Sequence, residues 1–163
     1  WDALLNDITL VPAANPQALA EEVNILSGRA SPLQKLLAAV EALRAAGFAT
    51  AICTNKPEGL AVELVRRLGI APLFGALIGA DTLPTRKPDA APYVASVTRA
   101  GGDVRRSMLI GDTETDRNTG LAVGVPVALV TFGPEGRAIE RLQPEALLDH
   151  YDDLPALAAR LLA

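Results

Sequence analysis

From residue 33 onward the chain alternates between two apolar patterns. In LQKLLAAVEALRAAG (33 to 47), Leu33, Leu36, Leu37, Val40 and Leu43 follow the i, i+3, i+4, i+7 spacing of an amphipathic helix. Gly47 supplies its stop. FATAICT (48 to 54) follows as a buried strand. Pro57 stands where a first helical turn begins, and LAVELVRRLG (60 to 69) predicts that helix, ended by Gly69. The alternation continues with a strand in FGALIGA (74 to 80) and a helix in DAAPYVASVTRAGG (89 to 102), where Pro92 fits only in the first turn. SMLIG (107 to 111) predicts a strand, TDRNTGLAVG (115 to 124) a helix and PVALVTF (126 to 132) a strand. An irregular segment with a short helix, a last strand at Ala146 to Leu148 and a closing helix in DLPALAARLLA complete the series. Continuous apolar strands separated by helices predict a mostly parallel sheet covered on both faces. The expected class is α/β, a Rossmann-like three-layer sandwich, with its core in residues 33–163.

Residues 1–32 break this rhythm. They are rich in Ala, Asn and Pro and carry one helical patch, PQALAEEVNIL. No repeat or low-complexity tract appears anywhere.

Composition removes several function classes. Half of the 163 residues are apolar, enough for one domain with a real core. A net charge of −4 gives no electrostatic footprint for nucleic acid. Apolar runs are interrupted well short of a membrane span, and no charged-then-apolar leader is visible, so the expected address is cytoplasmic. The single cysteine, Cys53, has no internal disulfide partner and suits a reducing compartment. The single histidine, His150, lies in polar company and reads as a surface residue; without a second His or Cys, zinc and Ser-His-Asp chemistry are disfavoured. Trp1, Tyr93 and Tyr151 are too scattered for a stacking platform, and PEGRAIERLQP (134 to 144) reads as a surface loop and helix.

Candidate chemistry lies at the carboxyl ends of the predicted strands, where open parallel sheets bind ligands. In ICTNKP, Thr54 ends a strand with a hydroxyl, and Asn55 precedes a helix start, a small anion cradle or simply a helix cap. In LPTRKPD, Lys87 precedes Pro88, which biases it toward extended backbone and limits where it can point. In LIGDTETDRNTG, Asp112 ends a buried run and Asp116 follows one helical turn later, a spacing that suits either a solvated helix start or two carboxylates that reach one hard cation. Glu114, between them, reads as a helix-start acid. Hydroxyl, lysine and carboxylate pair, each at a successive strand end, are what phosphoryl transfer requires.

These three motifs, CTNKP, DTLPTRKPD and GDTETD, resemble those of the haloacid dehalogenase (HAD) superfamily of phosphatases, and within it the bacterial phosphoglycolate phosphatases. The resemblance spans roughly residues 33 to 155. It implies an HAD-like core and a Mg²⁺-dependent phosphatase of a small phosphorylated metabolite such as 2-phosphoglycolate. Thr54 and Asn55 would bind the transferring phosphoryl group, Lys87 would neutralise it, and Asp112 would bind Mg²⁺. Asp116 would act either at the metal or by holding Lys87. Ala90, where close relatives have proline after KPD, is a small departure at a helix start.

The large departure concerns the family's first motif, DxDGT, which supplies the aspartate nucleophile and the acid/base. No DxDGT occurs in the sequence. The nearest echo is LLNDITLVP, which would make Asp7 the acid/base and put Leu5 at the nucleophile position, where no aspartyl-phosphate can form. The competing expectation takes residues 1–32 as the remnant of a helical cap, with the start at Trp1 suiting a chain cut downstream of its first motif. Both expect no identifiable nucleophile in this chain, so the alternative to an active phosphatase is an inactive phosphate- or metal-binding pseudoenzyme or a truncated fragment. With the first strand missing, residues 3 to 11 are a candidate surrogate strand. The expected partner is a small phosphorylated metabolite, with no nucleic acid and no membrane; monomer and homodimer stay open.

Overall fold

A computed structural model describes residues 8–12 and 31–163. Six strands form one sheet: β1 (Ile8–Pro12), β2 (Phe48–Cys53), β3 (Ala76–Ile78), β4 (Met108–Gly111), β5 (Val127–Val130) and β6 (Ala146–Leu148). Five α-helices are described with them: α1 (Pro32–Ala45), α2 (Glu58–Arg67), α3 (Ala90–Arg99), α4 (Glu114–Val123) and α5 (Leu154–Leu161). Each helix and strand expected beyond residue 32 is present within a few residues of its predicted bounds. The irregular 134–144 segment holds a 3₁₀ helix, Gly136–Leu142.

Strand order is β3-β2-β1-β4-β5-β6. The pairs β2–β3, β4–β5 and β5–β6 are parallel. Side-chain alternation along the strands builds two apolar layers, one on each face of the sheet. One layer combines Ile8, Leu10, Ile52, Met108, Ile110 and Val130 with α1, α2 and α5 through Leu36, Val40, Leu43, Val65, Leu154 and Leu157. The other combines Cys53, Leu109, Val127 and Leu129 with Tyr93 and Val97 of α3. Helices on both faces confirm the three-layer α/β sandwich with a mostly parallel sheet.

The centre of the sheet is where the mostly parallel description becomes specific. β1 lies between β2 and β4 and runs antiparallel to both, with Ile8 opposite Ile52 and Ile110. A segment set apart from the core by its composition thus joins the middle of the core sheet, and residues 8–11 of the expected 3 to 11 strand lie in β1. The pairing satisfies backbone groups of β2 and β4 that would otherwise be open in the interior. Direction matters for the chemistry: β1 presents its first residue, Ile8, toward the carboxyl ends of its neighbours, and Pro12 lies opposite Phe48 at the far edge. Asp7 and Leu5 lie outside the described residues.

The fit of β1 has one defect. Ile8, Thr9 and Leu10 are fully buried. Thr9 stands opposite Ala51 and Leu109, and its hydroxyl is the one buried side-chain polar atom without a hydrogen-bond partner among the described residues. A buried unsatisfied hydroxyl costs about 1–3 kcal/mol. Replacing it by a methyl of similar shape removes that cost, so Thr9→Val is expected to stabilise the chain by about 1 kcal/mol in urea unfolding; a loss of stability would show that the hydroxyl is satisfied in solution.

Candidate active site

The site is assembled at the carboxyl ends of β2 and β4 and in the loop following β3. At the end of β2, the Thr54 amide donates to the Ile78 carbonyl at 2.9 Å, continuing the pairing with β3. The Thr54 side chain is nearly fully buried. Its Oγ1 accepts the Lys56 amide at 3.2 Å, so the hydroxyl proton can still be donated elsewhere. Asn55 is exposed, and its Nδ2 donates to the Lys87 carbonyl at 2.9 Å. The family resemblance implies a phosphoryl contact for Asn55; in the structure its amide ties the Thr54 loop to the Lys87 loop.

Lys87 is buried, only 3% exposed, and the Lys87–Pro88 peptide is cis. Its Nζ lies 2.6 Å from Asp116 Oδ1, with both side chains almost fully withdrawn from solvent. The second oxygen of Asp116 accepts the Asp112 amide at 3.1 Å, the Thr113 amide at 3.1 Å and the Thr113 hydroxyl at 2.7 Å. Burial pushes the Asp116 carboxyl up, but the Lys87 ammonium, its hydrogen bond and the Thr113 and Asp112 donors outweigh that and hold it below the ordinary range. Asp116 Oδ1 thus holds Lys87, the second of the two roles expected for it, while its Oδ2 serves the donors of Asp112 and Thr113 at the start of α4.

Local sequence explains why this carboxylate can serve so many donors. Thr113 is the N-cap of α4 and Asp116 its third residue, and the two form a capping box. That spacing, Thr-x-x-Asp, was legible in the sequence and went unread, so Thr113 was missed. Gly111 was missed for another reason. A Cβ there would lie 2.3 Å from the Asp116 Cβ, so only glycine lets the strand end pass this close to the carboxylate. Glu114 is exposed in the first turn of α4, the helix-start position expected of it.

Asp112 is 3% exposed and ends β4 beside this network. Gly133, after β5, closes over it: a Cβ at Gly133 would sit 2.9 Å from the Asp112 Cβ. The structure therefore brings Thr54, Asn55, Lys87, Asp112 and Asp116 to one sheet edge. His150 is exposed and flanks the Tyr151–Asp153 turn. Among the described residues no three His, Cys, Asp or Glu converge to form a metal cage, and no helix is long and apolar enough to cross a membrane.

Comparison with known proteins places this geometry in context. The model of the haloacid dehalogenase-like hydrolases matches residues 3–124. The phosphoglycolate phosphatase of Mesorhizobium japonicum is 37% identical over 138 residues, covering 84% of this chain and 61% of that protein. The crystal structure of a predicted phosphoglycolate phosphatase from Haemophilus somnus superposes with a TM-score of 0.70 at 27% identity, covering 76% of this chain and 55% of that one. A HAD family hydrolase from Deinococcus radiodurans, solved with bound phosphate and sodium, gives a TM-score of 0.67 at 29% identity, with 80% and 61% covered. The chain spans about six-tenths of the length of the curated relatives it matches.

Removing one member of a buried ion pair leaves the other uncompensated, at about 3–5 kcal/mol. Asp116→Ala is expected to destabilise by that order at pH 7, and adding Lys87→Met to recover part of the loss, read by urea unfolding. The sign of the pH dependence follows from the lowered Asp116 value. Its stabilisation is complete above the unfolded carboxylate value of about 3.9 and is lost as pH falls through the lower folded value. The stability gap between the wild type and Asp116→Asn should therefore shrink below about pH 4; a gap that widens on acidification would contradict the pairing.

Proposed function

We propose a phosphate monoesterase site, and the premise is membership: the chain belongs to the haloacid dehalogenase-like hydrolase family. The reading is a Mg²⁺-dependent phosphatase of a small phosphorylated metabolite, of which 2-phosphoglycolate is the leading case because relatives carry the name phosphoglycolate phosphatase. The observation that carries it is the buried Lys87–Asp116 pair at 2.6 Å, held at the sheet edge that also presents Thr54 and Asp112.

Each described residue has a distinct task. Thr54 offers a hydroxyl proton to a phosphate oxygen. Lys87, paired with Asp116 at 2.6 Å, supplies a fixed positive charge without reorganisation during the reaction. Asp112 is a hard oxygen donor, and one carboxylate suits Mg²⁺, which keeps several waters and completes its shell with phosphate. When bound, the ion supplies Lewis-acid polarisation of phosphoryl oxygens. Formal charge supports a divalent ion at this position. Lys87 and Asp116 cancel, Asp112 leaves one negative charge, and a phosphate ester brings nearly two more.

Aspartyl-phosphate chemistry would need a further carboxylate at this edge. The DxDGT pattern is absent from the sequence, and β1 brings the apolar Ile8 toward the edge. That observation favours a second reading, in which the chain by itself binds phosphate without turning it over.

Millimolar phosphate with MgCl₂ is expected to raise the melting temperature, by the equivalent of ~1.4 kcal/mol at ten times the dissociation constant, and Asp112→Ala to remove the shift. Hydrolysis of p-nitrophenyl phosphate, measured in parallel, separates the two readings. A shift with turnover that Asp112→Ala abolishes supports the phosphatase, and a shift without turnover supports binding alone. No shift and no turnover would end both.

A further inference from the structure

We infer that Asp81 is a positioning residue that sets Thr54 against Lys87 by capping α2 from the neighbouring loop; this rests on the phosphate-site reading above. The N-cap of α2 is Pro57, which makes no side-chain cap bond. The Glu58 amide, the first of the helix, donates instead to Asp81 Oδ1 at 2.7 Å, across 23 residues of sequence. A helix start normally takes its acceptor from the residue just before it. Here the acceptor belongs to the loop that leads to Lys87.

Two further bonds cross between the same loops. The Ala80 amide donates to the Lys56 carbonyl at 2.9 Å, and Asn55 Nδ2 donates to the Lys87 carbonyl at 2.9 Å. Gly79 makes the approach possible: a Cβ there would lie 2.5 Å from the Glu58 backbone N and Cα, so the two main chains are in direct contact. The Gly79 amide in turn donates to Thr82 Oγ1 at 2.8 Å, which shapes the loop around Asp81. Thr54 is two residues before Lys56, and its hydroxyl oxygen is fixed by the Lys56 amide. Asp81, Ala80 and Asn55 thus form a latch whose one side carries the Thr54 hydroxyl and whose other side carries Lys87. Asp81 touches neither group, and acts through the main chain of Lys56 and Glu58.

The test compares Asp81→Ala, Asp81→Asn and Asp103→Ala with the wild type. Asp103 is a matched control, because it accepts the Arg105 amide at 2.9 Å and caps the 3₁₀ turn Val104–Arg106 at the opposite, amino end of β4. Binding of inorganic phosphate with MgCl₂ is measured by calorimetry, and amide exchange of Glu58 and Ala80 by NMR. Loss of one capping acceptor is expected to weaken phosphate binding about fivefold in Asp81→Ala. Asp81→Asn, which keeps an acceptor oxygen, should restore most of it, and Asp103→Ala should leave it unchanged. Exchange should accelerate at Ala80 as well as at Glu58 in Asp81→Ala. Acceleration confined to Glu58, or phosphate affinity equal in Asp81→Ala and the wild type, overturns the latch. Absence of phosphate binding by the wild type is a separate result: it overturns the phosphate-site reading and this assignment with it.

Discussion

The buried pair of Lys87 and Asp116 is the contact on which the site depends. Two charges withdrawn from water are unfavourable unless every remaining lone pair and proton is used. Asp116 meets that condition with one oxygen on the Lys87 ammonium and the other on three donors from Asp112 and Thr113. The same carboxylate belongs to the capping box of α4. One side chain therefore fixes a helix start, the end of β4 and the reach of a lysine from another loop. Gly111 is the steric condition for that convergence, since any side chain there would occupy the carboxylate's place.

How much of this could be read in the sequence depends on the range of the forces involved. Helices α1 to α4 follow from local periodicity and stops, and the parallel pairing from their alternation with apolar runs. β1 was harder. ITLVP is a plausible strand in any orientation, and nothing local says that it enters the sheet backwards between β2 and β4. Its place is decided by the open backbone edges of those strands, a tertiary cause. The site divides in the same way. Thr54, Lys87, Asp112 and Asp116 could be singled out because each lies beyond a predicted strand, and the structure brings them together. The capping box of Thr113 and Asp116 lay in the same stretch, where the spacing of Asp112 and Asp116 drew the reading toward a shared cation. Asp81 carried no local signal, since its partner lies 23 residues earlier.

The positioning contacts share one property: none of them involves β1. The ion pair links the loop before α3 to α4, and the latch links the loop after β2 to the loop after β3. β1 contributes burial through Ile8 and Leu10 and pairing on both sides, at the expense of the Thr9 hydroxyl. A strand in that slot must satisfy the backbones of β2 and β4 and fill the apolar layer beneath α1, α2 and α5, requirements that the antiparallel β1 meets through its pairing and through Ile8 and Leu10. Direction decides which end of the strand meets the carboxyl edge. A strand parallel to β2 and β4 would end at that edge, whereas β1 begins there with Ile8. The described residues of β1 therefore bring an isoleucine, and no carboxylate, to the edge where Thr54, Lys87, Asp112 and Asp116 meet.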